Sequence, residues 1–193
     1  MRVSKQAAAE NRGRILTAAA RLFRENGVDG AGVDAITKAA GLTHGAFYSQ
    51  FESKEEVVAE ALRVVLDESR DLWAGEASRQ ETGAAFARII DRYLSRRHRD
   101  AIGEGCAIAA LGPDIARQPK RIRGLFTKRL REGLDVLARV IPGRQAARRH
   151  DTAIRVFSTM VGALILARAV DDETLSRRIL KTVAEELKGD ALG

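Results

Sequence analysis

Six polar side chains crowd one short stretch: Thr43, His44, Tyr48, Ser49, Gln50 and Lys54, with Gly45 among them. The threonine and tyrosine hydroxyls suit phosphate oxygens, and the lysine adds a compact positive charge. Glutamine and histidine carry the donors and acceptors that read base edges, while glycine lets a backbone approach closely. Phe47 and Phe51 stand four residues apart, so they share one helical face and anchor it to a core. The polar residues then point the other way, either onto a nucleic acid or simply into water.

Other chemistries find little support. The three histidines, His44, His98 and His150, lack metal-ligand spacing, and the one cysteine cannot complete a zinc set with them. No metal and no cofactor are expected. There is no nucleophile elbow, phosphate-cradling loop or paired-carboxylate motif, so no catalytic residue is assigned and the chain is not read as an enzyme. Cys106 follows the Gly103 to Gly105 break and could open a helix, where amide dipoles favour a thiolate. It reads as an oxidant or electrophile sensor on that basis, or as a small buried hydrophobe; the second reading is preferred.

The elements that position the polar stretch are short. Val33, Ile36 and Ala40 keep one face of a helix, Gly41 supplies a left-handed stop, Leu42 fills the corner, and Thr43 caps a second helix over 43–50. Helix, tight turn and second helix make a helix-turn-helix, whose second helix enters the DNA major groove.

From Gly41 to Lys54 the chain resembles the DNA-binding signature of the TetR/AcrR (tetracycline-repressor) family. The matching residues are Gly41, Leu42, Thr43, Gly45, Phe47, Tyr48, Phe51, Ser53 and Lys54. Gln50 departs where that signature has His or Tyr. Ala31-Gly32 stands where a capping Ser or Thr is usual, so one hydroxyl contact to phosphate is missing. The resemblance covers roughly residues 10–65. It implies DNA contacts from Thr43, His44, Gly45, Tyr48, Ser49, Gln50 and Lys54, the last to phosphate. It further implies a repressor released from a palindromic operator by a small-molecule effector. A head over residues 1–54 and an effector-binding, dimerising unit over 55–193 are expected.

Composition agrees with helices. Hydrophobic residues make up 45%, enough for a core, and three prolines with no alternating β-rich runs argue for an all-α chain of about nine helices. A single cysteine fits a reducing cytoplasm. The longest mostly apolar run, about residues 156–167, falls short of the roughly 20 residues of a bilayer span, and no signal-peptide core is visible. The net charge of +7 is weak support for DNA binding. Sixteen Lys/Arg against six Asp/Glu lie in residues 88–150, outside the polar stretch.

In chain order, Arg2 and Lys5 precede a helix over 10–26 that Asn26-Gly27 ends. Ser53 with Glu56 is a capping box opening a helix over 54–76. Thr82 caps the next helix; residues 96–105 form a polar break; a helix over 106–117 is interrupted at Pro113; Pro119 opens another that ends at Pro142-Gly143. Helices over 145–170 and 173–188 close the chain.

Trp73, Phe86, Tyr93, Cys106, Phe126 and Phe157 are the candidate effector-pocket residues by family analogy, although periodicity alone makes the aromatics core. The last two helices are expected to build a homodimer through Phe157, Val161, Leu164, Ile165, Leu175, Ile179, Val183 and Leu187. The pattern is a narrow stripe on the final helix beside a broader apolar helix with small residues, which suits a four-helix bundle about a two-fold axis. Two readings of other classes stay open: a DNA-binding protein without an effector, and an all-α enzyme or carrier with a degenerate head.

Overall fold

The computed structural model describes residues 5–79, 81–142 and 146–190. Arg2 and Gly143 lie outside these. Among the described residues the chain is all-α, with ten helices, one short 3-10 turn and no strand. The helices are α1 (Lys5–Gly30), α2 (Val33–Ala40), α3 (His44–Tyr48), α4 (Lys54–Arg79) and α5 (Thr82–Tyr93). They continue as α6 (Arg96–Asp100), α7 (Ala107–Ala116), α8 (Lys120–Val140), α9 (Ala146–Ala169) and α10 (Glu173–Asp190), with the 3-10 turn at Ile102–Glu104.

The stop and start signals around the polar stretch work as their chemistry dictates. Gly41 sits at φ 62°, ψ 40°, and its N–H and that of Leu42 satisfy the last carbonyls of α2. Thr43 caps α3 by accepting from the Ala46 N–H at 3.3 Å. Gly32 opens α2 with no side-chain cap. At Ser53 the box is shifted by one residue: Ser53 accepts from Glu56 N–H at 3.2 Å, but the Glu56 carboxylate reaches back to the N–H of Glu52, not of Ser53.

Several expectations need correction. α1 begins at Lys5, not at residue 10, and Gly27 breaks it at φ 76° without ending it, since helical turns resume to Gly30. Thr82 lies inside α5, and Glu81 precedes it without a side-chain cap. The break at 96–105 holds α6, because Ser95 accepts from the His98 N–H at 3.1 Å and so caps five basic and polar residues. Pro113 lies within α7 without ending it. The extra helix brings the total to ten among the described residues.

Two cores organise the bundle. The first joins Ile15, Phe23, Ile36, Phe47 and Phe51 to Val57, Leu62 and Leu66 of α4 and to Leu111, Ile115 and Ile122 of α7 and α8. It therefore crosses residue 54. The second holds Phe86, Ile89, Ile90, Leu137, Met160 and Leu164 with Leu180 and Leu187. Residues 148–169 are long and apolar enough to cross a bilayer by length and composition, with mean hydropathy 1.4, although the apolar run had looked too short. Val156, Met160, Leu164 and Ala167 on that helix are nevertheless buried in the second core.

Candidate nucleic-acid interface and cavity

α3 is held from behind by rings and an arginine. Phe47 and Phe51 are buried with their centroids 5.7 Å apart. Arg12 stacks its guanidinium 4.0 Å over Phe51, donates to the Gln50 carbonyl, and pairs with Glu56 at 3.1 Å and with Glu60. This side chain ties α1, the end of α3 and the start of α4 together. The Glu56 carboxyl is held below its usual range by the Glu52 N–H and then by Arg12. Arg14 donates to the carbonyls of Ala40 and Gly41, closing the turn from the other side.

The outer face is a mixture of free and engaged groups. Tyr48 is 60% exposed, a large aromatic surface in water. Lys54 has no carboxylate partner among the described residues, and Thr43, Gly45 and Ser49 are exposed. His44 pairs through Nε2 with Asp34 of α2 and meets Tyr48 edge-on at 5.9 Å. Ser49 Oγ donates to the Ala46 carbonyl at 2.8 Å and accepts from Gln50 Nε2 at 3.3 Å. All seven residues thus fall on or beside one short helix. The roles of Arg12, Arg14 and Asp34 depend on contacts over 10 to 48 residues, which no local motif signals.

A cavity of about 1050 Å³ opens between α4, α5, α8 and the segment from Ser95 to Ile108, with Phe157 of α9 in its wall. Trp73, Tyr93, Cys106 and Phe157 line it; Phe86 and Phe126 do not. Phe86 is sealed in the second core, and Phe126 packs on the first. One face of α5 and α8 turns towards the cavity and another into a core, a distinction periodicity does not make.

His98 organises the end of the cavity. Its Nδ1 lies 2.6 Å from the Tyr93 carbonyl, which only accepts, so Nδ1 carries the proton. Nε2 then accepts from the Cys106 N–H at 2.9 Å. Burial holds the imidazole below its ordinary pKa, opposed by the bond to Tyr93 and reinforced by Arg168 and Arg92. Cys106 is the half-buried N-cap of α7. Burial pushes the Tyr93 phenol well above its ordinary pKa, and the neighbouring Cys106 adds to this. The Tyr93 hydroxyl has no hydrogen bond of ordinary geometry. The sulfur beside it is a weak acceptor and no substitute for one.

The expected dimer residues divide. Phe157, Leu164 and Leu187 are buried inside the protomer, Leu164 at 0% exposure, so they are core and offer nothing to a partner. Val161, Ile179 and Val183 are half-buried against the same core. Ile165 and Leu175 are exposed, and Ile154 and Leu166, not expected from the pattern, are exposed beside Ile165 along α9.

Known proteins resemble the chain in two ways. The profile described as "Bacterial regulatory proteins, tetR family" matches residues 15–61. The HTH-type transcriptional regulator AcrR of Shigella flexneri is 44% identical over 59 residues, which are 31% of this chain and 27% of that protein's length. In fold, the reduced form of NemR from E. coli matches 93% of this chain and 95% of its own, with TM-score 0.79 at 16% identity. FadR of Bacillus subtilis, solved in complex with stearoyl-CoA, matches 89% of this chain and 97% of its own, with TM-score 0.64 at 18% identity. The matched head contains α2, α3 and their shared core, and over those residues the chain is similar to bacterial transcriptional regulators of the tetR family.

Proposed function

We propose that the chain is a dimeric, ligand-responsive repressor that leaves a palindromic operator when a small molecule enters the cavity. The observation that carries this is the cavity itself, whose wall runs directly into segments packed on the head. Gly103, next to the lining residues Glu104, Gly105 and Cys106, accepts from Arg24 of α1. FadR with its stearoyl-CoA shows that a related fold takes a small molecule. A DNA-binding protein without an effector would have no use for such a space.

On this reading residues 1–54 act as the DNA-reading head and 55–193 as the effector and dimer unit. Thr43, Tyr48 and Lys54 contact phosphate, and His44, Ser49 and Gln50 face the bases with Gly45 allowing close approach. Exchange of Asp34 for a base or phosphate frees His44. The dimer face is the exposed strip of Ile154, Ile165, Leu166 and Leu175, with Val161, Ile179 and Val183 at its margin. Two heads set one helical turn apart specify more base pairs than one. The effector acts only through its different affinity for the two head spacings. The site of action is the cytoplasm, where the DNA is.

The test is selection of DNA fragments by the purified protein, footprinting of the selected site, and a compound screen for release. Trp73, the one tryptophan, lines the cavity and reports occupancy by its fluorescence. A palindromic footprint, and compounds that both quench Trp73 and release the DNA, are expected. Failure to select any specific sequence would sink the reading.

A further inference from the structure

The inner wall of the cavity is aromatic. Trp73 meets Phe157 edge-on at 5.5 Å, Phe157 meets Tyr93 at 6.1 Å, and His98 lies 4.7 Å from Tyr93. Such walls favour a flat, polarisable partner over a flexible chain.

The charges of the wall are largely neutralised already. Arg70 pairs with Asp67 at 3.2 Å, Asp71 at 2.8 Å and Glu132 at 3.2 Å. Arg129 pairs with Asp67 at 3.1 Å and Glu132 at 2.7 Å, and Arg88 lies 3.7 Å from Glu76. Arg92 and Arg97, without carboxylate partners among the described residues, are exposed to solvent. An anion held by Arg70, Arg88 or Arg129 would therefore have to break existing pairs, and only at Arg92 and Arg97 would it meet a lining arginine without one.

One polar group in the wall is left over. The Tyr93 hydroxyl is buried on a residue only 5% exposed, and beside it lies only the weakly accepting Cys106 sulfur. The phenol is protonated, and so a donor, at neutral pH, and burial pushes its pKa further up. A buried donor without an acceptor costs free energy, and a ligand that brings an acceptor removes that cost. Tyr93 and Cys106 both line the cavity, so the hydroxyl lies on the side where α7 begins.

Resting on the effector-cavity reading, we propose that the cavity takes an uncharged, flat, largely aromatic molecule. Its hydrogen-bond acceptor, most simply a carbonyl oxygen, meets the Tyr93 hydroxyl beside Cys106.

Three matched probes test this on the full chain by titration calorimetry: 2-acetonaphthone, 2-ethylnaphthalene and 2-naphthoate. The ketone is expected to bind wild type roughly tenfold more tightly than the hydrocarbon, the difference one well-placed hydrogen bond makes. In Tyr93→Phe, which removes only an unsatisfied oxygen, the ketone should lose that advantage while the hydrocarbon binds as before. That unchanged binding also shows that the variant's cavity is intact. Naphthoate should bind most weakly. Equal binding of ketone and hydrocarbon by wild type, or a preference that survives Tyr93→Phe, overturns the proposal. Tightest binding by naphthoate overturns it too, and assigns an anionic head group to Arg92 and Arg97. Binding of none of the three also overturns it, while the release screen decides separately whether the cavity is an effector site.

Discussion

Arg24 of α1 donates from Nε to the carbonyl of Gly103 at 2.6 Å, joining the head to the turn that leads into the cavity wall. A side chain at Gly103 would collide with Arg21 and Glu25, so glycine lets the turn lie flat on α1. Four residues after Arg24, the Val28 N–H donates to Asp114 of α7 at 3.2 Å, just past the break at Gly27. These two bonds tie the last turns of α1 to the segment that begins at the cavity.

Asp114→Ala should leave the Val28 N–H without its acceptor. The expected cost is about 1–3 kcal/mol of stability. Amide exchange at Val28 should quicken more than at Ala19, which is in the same helix but remote from α7. Unchanged exchange at Val28 would show that the bond does not hold the head.

On the reading face, Lys54→Ala should weaken DNA binding on all sequences and lower the slope of log affinity against log salt by about one unit. Tyr48→Ala should weaken binding without changing sequence preference, whereas His44→Ala and Gln50→Ala should shift the preferred base at defined operator positions. Anisotropy titrations over a salt series and a set of single-base operator variants check this. Four variants that fold and bind as wild type would dismiss α3 as the reading helix.

His98 sets a pH dependence. Its folded pKa lies below the ordinary value of 6.5. Above about pH 6.5 both folded and unfolded chains hold it neutral, and its contribution is complete. Below that, the unfolded chain takes up a proton the native site resists, so stability falls with pH until the folded pKa is reached. Thermal midpoints between pH 5 and 8 should show this fall, and His98→Gln should flatten it relative to wild type. Parallel curves for the two proteins would contradict the buried neutral wedge.

Neighbouring leucines on α9 separate the proposed dimer face from the core. Leu166 is 57% exposed, so Leu166→Glu should leave the protomer's fold intact and yield monomers in sedimentation, with operator affinity collapsing. Leu164 is fully buried, so Leu164→Glu should cost several kcal/mol and unfold the protomer itself. A dimer that survives Leu166→Glu and Leu175→Glu together would remove this face from the assembly.

Local chemistry alone placed the reading head. The Gly41 turn, the Thr43 cap, the Phe47 and Phe51 anchors and the apolar spacing of the helices all act within a few residues, where backbone conformation and helical period decide the outcome. The same reasoning missed α6, because Ser95 was not read as a cap for so basic a segment. Tertiary packing decided the rest. An apolar residue at helical spacing has a face but no address: Phe86 went to a core and Trp73 to a cavity, Leu164 inward and Leu166 outward. Likewise the grip of Arg12 on α3, the wedge of His98 between Tyr93 and Cys106, and the bond from Arg24 to Gly103 join groups that no sequence period brings together. Which side of a helix meets which neighbour depends on the summed burial of all ten, and that sum is settled only when the chain has closed on itself.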